Sequence, residues 1–569
     1  MKTIKIIFVG LVLAFGLFSC TKDFVEINTN PNAILPEEAS ARYFITNPQY
    51  QLYAPSRYPY WRAHLIHVDR YAGHFTFGHH GSWWSDELGY SYSSSYTDAS
   101  WNWMEGYLGG LDNFMKLTGA EGDFENPLMY AVGQIMKGLY YQMFTDIFGE
   151  IPYSEAANPD IDLPKFDTQI EIYTGIIADL DAAMTTIGDN LITGGGVENL
   201  GNNDLYCGGD LQKWKKLANT LKLRIATRAY GATGDNFASA AITAALNAPL
   251  LETGDDILLS KDNEISQWSA AAYSDVWYRF GGYGSKWSVG QVLINYMLKN
   301  NDPRLPEYAK LAEGGSFTFI RPDETDNPDG YANFEKRTRF IAHAISGAID
   351  IQGGDTSAVY AFVGDTSAIF NVPENLYYIG QPTRLNGKIK SYARAEFWSD
   401  PAEPIIQFKN EGKPIREELI LSAAESYFLQ AEAALNSFPG DAQSLYESGI
   451  TEAMKLWGVD EGDITTYITS GAPLTNATLE NVAIQRWMAC YTDGFEAWSI
   501  VRKSGFPAEL AAGVSDVDIF GLGDAGLNGL YPMRLKYGNN AYNTNGDNLQ
   551  TALGRQGVDE QGISLWWAK

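Results

Sequence analysis

Between Ser422 and Leu456 the chain spells out a complete helical hairpin. Ser422-Ala-Ala-Glu425 is a capping-box pattern that opens a helix running to Asn436. Phe438-Pro439-Gly440 breaks that helix, and Asp441 can cap a second one running to about Leu456. The unit has tetratricopeptide size, about 34 residues. Other segments carry the same period. Pro127 to Phe148 starts with proline at a first helical position and stops at Gly149. Leu211, Trp214, Leu217, Leu221 and Ile225 recur at three- and four-residue spacing, with Lys215, Lys216, Lys222, Arg224 and Arg228 largely off that stripe. A further helix is predicted from Thr478 to Thr492, with Gly494 near its C-terminal cap.

Residues 186–210, 231–290, 311–420 and 505–560 are rich in Gly, Asn, Asp and Ser. They exceed ordinary connection lengths and read as functional loops or insertions with short strands. The predicted class is mainly α: a scaffold of tetratricopeptide-like hairpins with long irregular loops, which display binding sites.

The N-terminus sets which residues fold. Residues 1–19 have a basic start, an apolar run from Ile6 to Phe18 and a small residue, Ser19, before Cys20. The run is of secretory-signal length and shorter than the ~20 apolar residues of a spanning helix. Leu17 to Cys20 resembles a bacterial lipobox, with Phe18 in place of the usual small residue. In a lipobox the cysteine is acylated and the chain is cut before it. The alternative is an ordinary cleaved signal with Cys20 incidental. The expected division is a signal peptide over 1–19, a lipidated N-terminus and tether over 20–36, and a body over 37–569. That body is longer than one compact core usually reaches.

The formal net charge of −28 becomes −30 when Lys2 and Lys5 leave with residues 1–19. Such a surface repels nucleic acid and anionic lipid, so membrane attachment must come from the lipid. Besides Cys20 only Cys207 and Cys490 remain, too few and too far apart for a disulfide framework, and they read as buried free thiols.

Several further stretches identify a family. They are Asn28 to Asn32 (NTNPN), Phe144 to Ala156 (FTDIFGEIPYSEA), Lys213 to Arg224 (KWKKLANTLKLR) and Glu425 to Ala433 (ESYFLQAEA). Asp493 to Trp498 (DGFEAW), Leu530 to Arg534 (LYPMR), Asn543 to Asn548 and Leu565 to Trp567 complete the series. In this order, from Cys20 to the C-terminus, they resemble the SusD/RagB outer-membrane lipoproteins of the Bacteroidetes. The resemblance implies a helical fold with four tetratricopeptide-like hairpins. It implies a nutrient-binding protein on the outer membrane facing the cell exterior, usually for glycans, without cofactor. It also implies a partner, a SusC-like TonB-dependent β-barrel over which the lipoprotein sits as a lid. The motif residues themselves read as scaffold.

Ligand chemistry is sought elsewhere. Eleven aromatics fall in residues 71–107, about 30% against 13% for the chain, and Trp83 and Trp84 stand there among Gly81, Ser82, Ser85, Asp86 and Glu87. An indole face with polar neighbours suits the C–H-rich face and the hydroxyls of a pyranose. Trp101 and Trp103 read as core. Trp268 to Trp287 is a second aromatic stretch, with Trp277 and Gly281-Gly-Tyr-Gly284, and Gln381 to Gly387 holds Arg384 and Asn386. The candidate glycan contacts are Trp83, Trp84, Tyr90, Trp277, Trp287 and Arg384. The acidic surface leans the ligand toward a neutral polysaccharide or oligosaccharide such as a β-glucan. A peptide ligand within the same family is the alternative, and a surface glycoside hydrolase is the third reading.

No metal is expected. Five of six histidines lie between His64 and His80, but without a His-Glu-x-x-His pattern. Asp323 to Asp329 is only faintly like a calcium loop, since Thr325 stands where its first carboxylate should be. Catalysis has no motif support: no Walker A loop and no Gly-x-Ser-x-Gly elbow is present.

Overall fold

The computed structural model describes residues 38–77, 90–261, 272–279, 287–407 and 415–568, without the side chains of 278 and 279. Eleven of its helices carry the argument. These are α1 (Ser94–Thr118), α2 (Pro127–Phe148), α3 (Gln169–Ile187), α4 (Leu211–Ala229), α5 (Ala238–Leu246), α6 (Pro328–Ile351), α7 (Ala423–Leu435), α8 (Ala442–Leu456), α9 (Leu479–Ala489), α10 (Gly494–Ser504) and α11 (Asn539–Gln556).

Their ends follow from local chemistry. The Asn126 side chain accepts from the amides of Leu128 and Met129, Pro127 takes the first position of α2, and Gly149 caps its end at φ 94°. Thr168 and Glu171 form a reciprocal capping box on α3. Asp210 caps α4, Ser422 caps α7 and Asp441 caps α8. The helix predicted to end near Gly494 instead stops at Ala489, and Gly494 opens α10 behind the cap Asp493. Asp493 accepts from the Glu496 amide, so the residue read as a stop belongs to a start.

Four hairpins result: α2 with α3, α4 with α5, α7 with α8, and α9 with α10. They stack on one another, α3 on α4, α4 on α7, α7 on α9 and α10 back on α2. Gly449 lets α8 approach α7, since a Cβ there would lie 2.6 Å from the Phe428 ring. One hydrophobic core runs from Ala41 to Trp567, with two smaller clusters beside it. The segment predicted as irregular over 311–420 contains α6, which packs on a three-stranded antiparallel sheet. That sheet orders β6 (Gly315–Ile320), β8 (Ser367–Val372) and β7 (Tyr360–Val363). Three two-stranded pairs complete the strands: β1 (Phe75–Thr76) with β5 (Ser288–Val289), β2 (Ile151–Pro152) with β3 (Phe166–Asp167), and β4 (Ile257–Leu259) with β9 (Glu418–Leu421).

Charged groups fill the junction of the hairpins. Arg224 and Arg228 lie off the apolar stripe of α4, yet they are buried rather than solvated. Arg224 pairs with Glu425 of α7 (2.5 Å), Arg228 with Asp146 of α2 and Glu496 of α10, and Arg486 of α9 with Glu425 (2.9 Å) and Glu496 (2.6 Å). Burial opposes ionisation of Glu496, but Arg228, Arg224 and Arg486 win and hold its carboxyl down at about 2. Cys207 and Cys490 are free and buried, and burial pushes both thiols up. Among the described residues no helix is long and apolar enough to cross a membrane.

Candidate functional site

Three stretches that are remote in sequence meet at the β1–β5 pair. β1 and β5 are antiparallel, with Thr76 opposite Ser288, so the chain leaves toward residues 78–89 at the end where it arrives from residues 280–286. The third stretch, from Gln381, runs beside β5. The Gln381 amide donates to the Val289 carbonyl (3.0 Å) and the Gln291 amide to the Gln381 carbonyl (2.9 Å). Gly290 lies between them, its amide donating to the His74 carbonyl (2.9 Å). A Cβ on Gly290 would fall 1.9 Å from the Gly73 carbonyl oxygen, so the close crossing requires glycine.

The Gln381–Arg384 stretch holds both flanks of residues 78–89. The Gln381 side-chain amide donates to the Phe77 carbonyl (2.6 Å). The Arg384 guanidinium stands over the Tyr90 ring at 4.8 Å. Tyr90 sits at φ 60° and Arg384 at φ 59°, both in the left-handed region that non-glycine residues seldom occupy. Tyr90 also meets Tyr71 edge-on (5.0 Å, 79°). The Tyr71 hydroxyl accepts from Gln561 (2.8 Å), and the Tyr531 hydroxyl donates to the Tyr71 carbonyl (2.5 Å).

The structure thus brings Tyr90, Trp277, Trp287 and Arg384 to one region, but not as a row of exposed platforms. Trp287 is 0% and Trp277 5% exposed; they pack edge-to-face (5.3 Å, 88°), and Trp287 also meets Phe75 (4.6 Å). Tyr90 is buried too. A sugar face needs a free ring face, and these rings are engaged by protein. The expectation of an exposed loop at Trp277 and Trp287 is corrected accordingly: they form the base of the region. Aromatics alternating with glycine do not reveal which ring faces inward. Trp83 and Trp84 lie outside the described residues, as do Cys20, His79 and His80. Trp101 and Trp103 are buried on α1, as read.

Sequence reasoning missed Gln561, which carries no local pattern, and the roles of Tyr71 and Gln381. The buried acid nearby, Asp69, accepts from the Tyr273 hydroxyl, and burial raises its carboxyl well above the usual range. Among the described residues no group of His, Cys, Asp or Glu could hold a metal. In the acidic stretch Asp323 accepts from the Thr325 amide, Asn327 caps α6, and Asp329 pairs with Arg337 (2.8 Å). Two grooves among the described residues lie elsewhere. One of about 710 Å³ is lined by Tyr130, Lys137 and Tyr153, and one of about 680 Å³ by Tyr58, Arg62 and Asn102.

Known proteins share this architecture. A family described as starch-binding, associating with the outer membrane, matches residues 31–332 and 372–520. The chain belongs to the SusD-like family. A SusD-like structure from Bacteroides thetaiotaomicron matches at 20% identity and TM-score 0.66, covering 93% of this chain and 98% of that one. A SusD homologue from Bacteroides uniformis matches at 21% and 0.68, covering 93% and 99%. A structure described as a chitin-binding protein matches at 23% and 0.69, covering 93% and 100%. No curated protein matches the sequence. Four of the SusD-like motifs supply the hairpin junction, with Asp146, Arg224, Glu425 and Glu496. These motifs therefore mark the scaffold.

Proposed function

We propose that the chain is a cell-surface lipoprotein that binds a polysaccharide or oligosaccharide and passes it, without catalysis, to a SusC-like TonB-dependent β-barrel. The reading is carried by one observation: the three aromatic- and amide-rich stretches singled out in the sequence are anchored on the β1–β5 pair. The scaffold is built to hold that convergence, with Gln381 and Arg384 clamping its flanks. The family description and the chitin-binding relative support a saccharide as ligand. Trp83 and Trp84, on the stretch between the Phe77 and Tyr90 anchors, are assigned as the stacking residues. Cys20 is assigned as the lipid attachment site, placing the body outside the outer membrane. The net charge of −28 disfavours a densely anionic polymer, so a largely neutral chain, with β-glucan as the first to try, fits best.

The test is a polysaccharide panel screened by affinity electrophoresis, with reducing ends measured in the same samples. Retardation by at least one glycan with no new reducing ends is expected. New reducing ends would make the protein a hydrolase, and retardation by none would remove the glycan reading.

A further inference from the structure

Among the deeply buried arginines, Arg224, Arg228, Arg304, Arg337, Arg486 and Arg534 each hold a carboxylate, and Arg502 donates to the Asp146 and Met533 carbonyls and the Ser499 hydroxyl. Arg384 is 4% exposed, and its Nε, Nη1 and Nη2 have no hydrogen-bond partner among the described residues. The charged or ionisable groups acting on it are the tyrosines Tyr90, Tyr531 and Tyr71, with no carboxylate among them. An isolated guanidinium held out of water is destabilising, and packing alone would favour an apolar side chain there. The backbone nevertheless fixes it. Gly521 donates to the Arg384 carbonyl (2.7 Å) and Asn386 to that of Ile519 (2.9 Å), which pins the left-handed turn that aims the side chain at Tyr90.

Two further side chains, Gln381 three residues before it and Gln561 on the Tyr71 hydroxyl, each keep an unused acceptor. Gln381 donates to the Phe77 carbonyl and Gln561 to the Tyr71 hydroxyl, and each leaves its Oε1 buried and without a partner. A planar fork of donors suits a carboxylate, and unused amide oxygens on Gln381 and Gln561 suit the hydroxyls of the ring that carries it.

We propose that Arg384, with Gln381 and Gln561, forms a subsite for the carboxylate-bearing unit of the glycan, a uronic acid within an otherwise largely neutral chain. This rests on the glycan-binding reading above and adds to it the chemistry of one sugar unit. One guanidinium suits one carboxylate, and the acidic body of the protein excludes ligands that are charged at every unit. The guanidinium is closed off from water in this state, so the ligand reaches it with local rearrangement. A salt bridge formed there is little screened.

The test is calorimetric titration of the full mature chain with glucuronate- and galacturonate-bearing oligosaccharides, their carboxyl-reduced counterparts and a sulfated oligosaccharide. The wild type is expected to bind a uronate form at least tenfold more tightly than its reduced counterpart and than the sulfated probe. Arg384→Gln should erase that preference, the uronate form losing at least tenfold more affinity than the reduced form. Without ligand, Arg384→Gln and Arg384→Met should melt at or above the wild-type temperature, because an unpaired buried charge is gone. Equal wild-type binding of acidic and reduced forms overturns the subsite and leaves the glycan reading standing. So does a drop in melting temperature with both affinities falling alike, since that is a packing role. Tighter binding of the sulfated probe overturns the carboxylate assignment. No binding of any probe overturns both proposals.

Discussion

His64, His67 and His74 are buried, and burial pulls each imidazole from 6.5 to about 3. His64 stacks on Tyr60 (4.3 Å, 15°) and meets the edge of Phe495, with no hydrogen bond at either ring nitrogen. It stays neutral when folded and takes a proton when unfolded below pH 6.5. Its contribution to stability is therefore complete above pH 6.5 and is lost as pH falls toward 3, by about 1.4 kcal/mol per pH unit. His64→Phe should remove that dependence. Urea unfolding at pH 6.5 and 5 would show the variant's stability falling less than the wild type's, and parallel losses would refute a neutral His64. Trp287 makes the companion case. With its ring fully buried, Trp287→Ala should cost about 3–5 kcal/mol, read as a lowered melting temperature. Sequence marks Trp287, Trp83 and Arg384 alike, because an aromatic or an arginine among glycines has the same signature whether it faces protein or ligand. Arg384 stands out only once its missing partners are counted.

The hairpins explain what is legible in the sequence. Caps are local, so Pro127, Gly149, Ser422 and Asp441 announce their helices correctly. Glu425 reads as half of a capping box, yet its carboxylate goes to Arg224 and Arg486, and only the Ser422 half of the box forms. The helix α6 hides in a stretch rich in Gly and Asp, its signals reduced to the Asn327 cap and Pro328. Gly494 misleads because glycine marks a stop by default, whereas the Asp493 side chain makes a start there. The junction of α2, α4, α7, α9 and α10 is held by charges whose pairing no one-dimensional pattern displays. Glu496→Gln would leave Arg228, Arg224 and Arg486 undercompensated and should cost about 3–5 kcal/mol at neutral pH. Because the Glu496 carboxyl sits at about 2 instead of 4.5, its share of stability is present above pH 4.5 and is lost as pH falls toward 2. The difference in melting temperature between variant and wild type should therefore narrow over that window, and a constant difference would contradict the pairing.

Across the whole molecule, the order of the motifs carries the fold, because those from Phe144 to Trp567 fall where hairpins meet or where the C-terminal segment closes on them. The candidate region is assembled from residues some 90 to 300 positions apart, and only the folded chain shows that Phe77, Val289 and Gln381 are neighbours. With Cys20 proposed as the lipid attachment site of an acidic body, Cys20→Ala should move the protein from the membrane to the soluble fraction. Retention at wild-type levels would remove the anchor. The central claim is that the stretch clamped at Phe77 and Tyr90 carries the glycan platform. Calorimetric titration of Trp83→Ala and Trp84→Ala with the tightest-binding glycan of the panel, beside a melting curve of each, tests it most directly. The account predicts a loss of about 1–3 kcal/mol in binding, or about 5- to 150-fold, with melting unchanged. Unchanged affinity with a lowered melting temperature would make these two tryptophans packing residues and would contradict it.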